Sequence, residues 1–240
     1  MSHKPLTVLA GLLLWTACTT APEQNILRIA ISPAAQPVSS AILACASTNG
    51  EIFTTIDVVF AGTFELADYD LFIRLGEPDD EIEAILPLAG ERIGVVVNSS
   101  LSLGSVNRSA LVEILTGRIS NWSELGGPEE PITIWVGPES DDTRAIIEEE
   151  LLHGAPIAGN ALIAPNPSTV LDFVAAEIGG IGLLPAAWAD ERVEMIDLAI
   201  EVPVLVVTVT ELGPGARELL ACLQGSTGQA ILSERYSPIN

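Results

Sequence analysis

Short apolar runs rich in valine and isoleucine alternate along this chain with polar segments whose apolar positions recur at helical spacing. The runs are typical of buried strands, and the spaced pattern is typical of helices that bury one face. The predicted strands are residues 26–31, 55–60, 70–75, 92–98, 132–136, 181–184 and 203–209. The predicted helices are residues 38–46, 143–152, 169–177, 215–223 and 228–235. This alternation of strands and helices indicates an α/β fold.

A further short helix is predicted just after residue 108, and it opens the most specific local pattern in the chain. Ser109 can cap this helix, since serine side chains accept hydrogen bonds from the first-turn N–H groups. One apolar stripe is formed by Leu111, Ile114 and Leu115. Gly117 ends the helix, because only glycine takes a left-handed conformation without strain. Trp122 follows as a large apolar anchor in a tight turn that leads to the strand at 132–136.

The order of these pieces resembles the second lobe of the phosphate-type (PstS-like) solute-binding proteins of ABC transporters. In that family a helix ending in Thr-Gly-Lys/Arg is followed by Asn-Trp-Ser and then by Gly-Gly before a strand. The matching residues here are Thr116-Gly117-Arg118, Asn121-Trp122-Ser123 and Gly126-Gly127. Two later segments, 170–184 and 228–239, are also similar to the family.

The resemblance implies a two-lobe periplasmic-binding-protein (Venus-flytrap) fold with two chain crossovers. Lobe one would comprise residues 26–97 and 205–240, and lobe two residues 98–204. The solute would bind in the cleft between the lobes, which would close by a hinge motion. The family's partner is an ABC transporter permease in the membrane, so no enzyme activity is expected.

The amino terminus carries an export pattern. An apolar run of ten residues, 6–15, is too short to span a bilayer but suits a signal peptide. Small residues then precede Cys18, as in a bacterial lipobox, although Trp15 stands where leucine is usual. We expect a signal peptide at 1–17 and a linker at 18–25 tethered by a lipid on Cys18 to the outer face of a membrane. A plain secretory signal and an uncleaved anchor are the alternatives.

Charge and residue counts exclude several classes of function. The net charge of −22 argues against nucleic-acid binding, because nucleic-acid phosphates would be repelled. Lys4 is the only lysine and lies in the export segment, so P-loop nucleotide chemistry and lysine Schiff bases are excluded. Every other cationic side chain apart from histidine is one of nine arginines.

Cysteine and histidine are equally sparse. Cys45 and Cys222 lack the spacing of metal ligands, so no metal or other cofactor is predicted. In an exported chain these two cysteines can form a disulfide, but two buried thiols would also fit. His153 precedes Gly154 at a predicted helix end, where an imidazolium suits the helix dipole.

The resemblance also places an oxyanion site at three segments. These are the loop after the first strand, the end of the third strand and the start of the helix at 143–152. Family members hold the anion with N–H groups at helix N-termini, with hydroxyls and with an arginine. The matching residues here are Ser32, Ala34, Arg74, Ser140, Asp141, Thr143 and Arg144. The expected ligand is a small anion, with phosphate or a related oxyanion as the first choice.

Two departures from the family bear on this site. Asp141-Asp142 replaces the family's Ser-Gly before the threonine, and inward-facing carboxylates would repel an anion. Arg74-Leu75 replaces a Ser-Asp pair whose acid accepts the proton of a phosphate. Arg74 and Arg144 can converge on an anion across the cleft. Alternatively, both pair at the surface with neighbours such as Glu77 and Glu148.

Two functions from different classes therefore remain open. The first is a lipid-anchored solute-binding protein that delivers an anion to a permease. The second is an extracytoplasmic sensor or adaptor that kept the fold but lost the ligand, which the Asp141-Asp142 change favours. An enzyme is disfavoured, because the sequence has neither a Gly-x-Ser-x-Gly motif nor a catalytic triad that His153 could complete.

Overall fold

The computed structural model describes residues 26–48, 52–60, 63–78, 84–101, 106–208 and 211–238. The predicted signal peptide, the linker at 18–25 and Cys18 lie outside the described residues. Within those ranges, none of the helices has both the length and the apolar character needed to cross a membrane.

The elements alternate between strands and helices, as the apolar pattern predicts. The strands are β1 (Ile26–Ile31), β2 (Phe53–Val58), β3 (Leu71–Leu75), β4 (Ala84–Asn98), β5 (Thr133–Val136), β6 (Leu162–Ile163), β7 (Gly180–Pro185) and β8 (Val193–Thr208). The α-helices are α1 (Ser39–Thr48), α2 (Arg108–Leu115), α3 (Asp142–Glu150), α4 (Pro167–Ala176), α5 (Pro214–Gln224) and α6 (Ser226–Leu232). The short strand β6 had no counterpart in the sequence prediction.

All eight described strands form one mixed sheet in the order β2-β1-β3-β8-β4-β7-β5-β6. β1 is parallel to β2 and β3, and β5 is parallel to β6 and β7. The long strands β4 and β8 are antiparallel to each other and run through the whole middle of the sheet. We call β1–β3 with the adjoining ends of β4 and β8 the first half, and β5–β7 with the opposite ends of β4 and β8 the second half.

β4 and β8 are much longer than the sequence pattern predicts. The prediction started these strands at residues 92 and 203, whereas they start at Ala84 and Val193. The missed part of β8 carries the exposed acids Glu194, Asp197 and Glu201, which mask its strand character. Pairing with β4 decides its conformation instead, because β-propensity depends strongly on tertiary neighbours.

A β-bulge interrupts the pairing of β4 with β8 between the two halves. Ile93 pairs with Ile200, but the next residue of β4, Gly94, pairs with Asp197. The two extra residues of β8 include Ala199, whose φ of 51° is unusual for a residue with a side chain. The predicted lobe boundaries at 97/98 and 204/205 stay a prediction, and both fall within these two long strands.

The prediction for the cap of α2 is wrong. Asn107, not Ser109, is the N-cap residue, and its side chain accepts a hydrogen bond from the Ala110 N–H at 2.9 Å. Asparagine and serine are both good caps, so local preference alone does not separate the two positions.

Gly117, after α2, has the left-handed conformation predicted for it, with a φ of 78°. Gly126 also adopts a φ of 78°. Trp122 is fully buried, and its indole N–H donates to the Gly179 carbonyl oxygen at 3.1 Å. The turn therefore anchors the segment before β5 to the segment before β7 and fixes where β5 starts.

Cys45 and Cys222 form a disulfide between α1 and α5, with their Cα atoms 5.7 Å apart. The alternative of two separate buried thiols is thereby excluded. Because 177 residues of sequence separate the two cysteines, the bond joins the start of the described chain to its end.

Candidate functional site

The candidate site lies where strand ends from the two halves face each other. β3 is antiparallel to β8, and β8 is antiparallel to β4, so β1 and β3 run toward the second half. β7 is antiparallel to β4, so β7 and its parallel neighbour β5 run toward the first half. The carboxyl ends of β1, β3 and β5 therefore meet at the middle of the sheet, the usual ligand position in α/β folds.

Asp142, the first residue of α3, reaches across this junction. Its Oδ1 lies 3.3 Å from the Arg74 guanidinium, and its Oδ2 accepts the Leu75 N–H at 3.0 Å. The Ser32 hydroxyl lies close enough to this carboxyl group to lower its pKa. All three donors belong to the first half, whereas Asp142 belongs to the second. We call Ser32, Arg74 and the Leu75 N–H the donor cluster.

The donor cluster is shielded from water. Ser32 is 1% exposed, Asp142 is 3% exposed and the Arg74 side chain is 17% exposed. Burial raises the pKa of the Asp142 carboxyl, and Arg74, Ser32 and the Leu75 N–H each offset part of that rise. A carboxylate in such a place needs these partners, since burying an unpaired charge is very costly.

Asp141 plays a different part from its neighbour. Its carboxylate is the N-cap of α3 and accepts the Arg144 N–H at 3.1 Å. The pKa of Asp141 is raised to about 6. Burial is the main cause and the charge of Asp142 adds to it, whereas the hydrogen bond from the Arg144 N–H opposes the rise. Both aspartates are thus buried, but the Asp141 side chain caps α3, whereas the Asp142 side chain contacts the end of β3.

The two arginines named from the sequence also separate. Arg74 lies at the junction, and its partner there is the Asp142 carboxylate, which neither of the two expected outcomes named. Arg144 instead pairs with Glu148 on the same helix at 3.0 Å and donates to the Gly137 carbonyl oxygen at 3.4 Å. The structure therefore brings Arg74 to the junction and directs the guanidinium of Arg144 along α3.

The remaining predicted residues lie around this junction. Ala34 is buried, and its carbonyl oxygen accepts the Trp188 indole N–H at 2.9 Å. Ser140 is half-buried in the turn before α3. Thr143 is buried near the Asp141 carboxyl, close enough to lower its pKa. Its hydroxyl nevertheless has no hydrogen bond of ordinary geometry within the described part of the chain.

Sequence reasoning missed two contributors to the junction. The Leu75 N–H is invisible in a side-chain pattern, although its position directly after Arg74 at a strand end was a usable signal. Trp188 follows the carboxyl end of β7 in a short 3-10 helix, Ala186–Trp188, and reaches the loop after β1. An aromatic residue directly after a buried strand could have indicated this contact.

Metal chemistry finds no support in the part of the chain that the structure describes. No group of three or more histidine, cysteine, aspartate or glutamate side chains there is arranged to hold a metal ion. The donor set at the junction points the same way, since N–H and O–H groups favour anions and not cations.

The middle of the chain matches a known family. Residues 83–219 match the family described as the PBP superfamily domain. The phosphate-binding protein PstS of Bacillus subtilis is 29% identical over 151 residues, which cover 60% of this chain and 49% of that protein. This chain thus spans about half the length of that relative.

Solved structures show the same fold. A candidate phosphate ABC transporter substrate-binding protein from Clostridium perfringens, with bound phosphate, has a TM-score of 0.83 at 16% identity. The match covers 90% of this chain and 100% of that one. An ABC-type phosphate transport receptor from Vibrio cholerae has a TM-score of 0.69 at 18% identity, covering 89% and 100%. The eight-stranded sheet is therefore that of the two-lobe periplasmic-binding-protein fold, as the sequence resemblance predicts.

Proposed function

We propose, from the premise that this chain belongs to the PBP superfamily, that it is the solute-binding component of an ABC transporter. Its ligand would be a small anion held in the cleft between the two halves of the sheet, with a phosphate-like oxyanion as the first choice. It would deliver this anion to a membrane permease, and it would carry out no chemical reaction.

One observation carries the choice of an anion: the donor cluster already surrounds a negatively chargeable group. A guanidinium, a hydroxyl and a backbone N–H point at one position, where they hold the Asp142 carboxyl. Charge-assisted hydrogen bonds of this kind are the strong ones, and guanidinium groups suit carboxylate and oxyanion geometry. The names of the similar proteins from B. subtilis, C. perfringens and V. cholerae support phosphate as the first anion to test.

Binding of phosphate by the purified protein tests this proposal. We expect calorimetry to detect binding to the parent, and Arg74→Ala to weaken it by tenfold or more, because a hydrogen bond to a charged group contributes about 1.5–3 kcal/mol. Arg217→Ala is the matched control, since Arg217 pairs with Glu211 at the surface and should leave the affinity unchanged.

Failure to bind phosphate, sulfate or small carboxylates in any form of the protein would contradict the proposal. That result would instead support the sensor or adaptor that keeps the fold without the solute. A circular dichroism spectrum of Arg74→Ala that matches the parent would show that lost binding does not reflect lost folding.

Lipid anchoring through Cys18 belongs to the same proposal and has its own test. Cys18→Ser in a bacterial host is expected to release the protein from the membrane fraction or to block its processing, because the lipid is attached to the thiol. Thr20→Ser is the control and should remain membrane-bound. Processing and membrane association of Cys18→Ser equal to those of the parent would show that Cys18 is not lipidated.

A further inference from the structure

We propose that Asp142 is a built-in competitor for the anion site: its carboxylate occupies the donor cluster, so that a solute anion binds by displacing it. The identity of the displacing solute rests on the proposed function. The occupation of the donor cluster by Asp142, and the contact between the two halves that it makes, do not.

Both oxygens of the Asp142 carboxyl group are engaged across the junction. Oδ1 faces the Arg74 guanidinium at 3.3 Å, and Oδ2 accepts the Leu75 N–H at 3.0 Å. Together with the Ser32 hydroxyl, these are donors that an oxyanion in the cleft would use. An anion and the Asp142 carboxylate therefore cannot hold the donor cluster together.

Asp142 is not needed by its own helix. Asp141 caps α3 through the Arg144 N–H, at 3.1 Å, and thereby meets the usual requirement for an acceptor at a helix start. The Asp142 side chain is thus free to serve the other half, and its Cα is held at the first position of α3. A competitor fixed in this way acts at a high effective concentration, which lowers the apparent affinity of any solute.

The competitor nevertheless fits the site incompletely, which leaves room for displacement. A carboxylate offers two oxygens, whereas a tetrahedral oxyanion offers four. The Thr143 hydroxyl, next to Asp142, is buried and lacks a hydrogen bond of ordinary geometry within the described residues. This hydroxyl, beside the Asp141 carboxyl, is a further donor at the start of α3 that the Asp142 carboxylate in its present position does not use.

The arrangement reverses the charges expected from the sequence resemblance. The resembling family has a Ser-Asp pair at the end of strand three and an uncharged Ser-Gly pair before the threonine of α3. Here the end of β3 supplies Arg74, and the start of α3 supplies Asp142. The pair still bridges the two halves. The carboxylate, however, now comes from the half opposite the anion donors and accepts from them.

Two measurements on the full protein separate this inference from the proposed function. The first is hydrogen exchange of the Leu75 amide in protein dialysed free of phosphate. The Leu75 N–H donates to Asp142, whereas the next amide, Gly76, donates to the Pro203 carbonyl oxygen at 2.9 Å within the first half. Asp142→Ala is expected to speed exchange at Leu75 by tenfold or more and to leave Gly76 unchanged.

The second measurement is phosphate affinity, with a neighbouring aspartate as the control. Asp142→Ala is expected to tighten phosphate binding by at least tenfold, because the competitor is gone. Asp141→Ser removes the same charge one residue away and keeps a good cap on α3. It should change the affinity much less than Asp142→Ala. Asp142→Asn, which keeps an acceptor for Leu75 but no charge for Arg74, should fall between the parent and Asp142→Ala.

The outcomes are distinct. Rapid exchange at Leu75 in the parent, or exchange unchanged by Asp142→Ala, would overturn the inference whatever binds. Equal gains in affinity from Asp141→Ser and Asp142→Ala would also overturn it, since general repulsion would then explain both. Faster Leu75 exchange in Asp142→Ala with no phosphate binding in any variant would support the inference and contradict the proposed solute. Should Asp142→Ala fail to fold, Asp142→Gly, which likewise removes both carboxylate oxygens, decides by the same two measurements.

Discussion

Replacing both Cys45 and Cys222 with alanine is expected to lower the free energy of unfolding by about 5 kcal/mol. The disulfide closes a loop across 177 residues of sequence, so it removes much conformational freedom from the unfolded chain. In the chain-entropy model this effect grows with the logarithm of loop length, which places the loss near the upper end of the usual range. Cys45 is also fully buried, so the alanine variant loses packing at α1 as well.

Urea unfolding of the oxidised parent and of the double variant measures this loss. When the parent is unfolded, reduced and refolded in the presence of reductant, its free energy of unfolding should fall to that of the double variant. The stability of the double variant should not change with reductant. If the oxidised parent and the double variant unfold at the same urea concentration, the disulfide contributes nothing to stability.

Glu91→Gln is expected to remove a loss of stability that the parent shows as the pH rises. Glu91 is 1% exposed in the middle of β4, and burial raises its pKa to about 8, although the N–H groups of Ala187, Arg92 and Ala186 oppose the rise. The folded protein therefore holds a proton that the unfolded chain releases near pH 4.5. Stability is greatest below the unfolded pKa and falls as the pH rises through the folded pKa.

The size of this effect follows from the same pKa difference. Between pH 5 and pH 9 the parent should lose roughly 4 kcal/mol through Glu91, because each pKa unit corresponds to about 1.4 kcal/mol. Glutamine keeps the shape and the acceptor for the Ala187 N–H, at 3.3 Å, but never ionises. The Tyr236 hydroxyl shares this interior, and both burial and Glu91 raise its pKa, so Tyr236 adds no titration in this pH range.

Urea unfolding at pH 5, 7 and 9 tests the prediction. Glu194→Gln, an exposed position on β8, is the matched control and should keep the pH dependence of the parent. A parent whose stability does not fall more steeply between pH 7 and pH 9 than that of Glu91→Gln would show that Glu91 is already ionised when buried.

Elements with strong local signals could be predicted from the sequence. The pattern placed β1 at its observed residues, and the start of α3 within one residue. Gly117, after α2, takes the left-handed backbone predicted for it, and that preference is local. The full lengths of β4 and β8 could not be predicted, because acidic residues on β8 contradict a strand pattern that only pairing with β4 sustains.

The sequence by itself determined the α/β class and the Trp122 turn, since apolar spacing and glycine conformation depend on residues near in the chain. The three segments that meet at the junction were indicated by the family resemblance. Tertiary structure decided which of two adjacent aspartates caps α3 and which crosses to Arg74 and Leu75. The Leu75 N–H and Asp142 are 67 residues apart in sequence, and their contact depends on how β3 and β5 are oriented through β8, β4 and β7. Asp141 and Asp142 have the same side-chain chemistry. They differ only in the direction each side chain takes at the start of α3, and that direction matters because the end of β3 lies on one side of it.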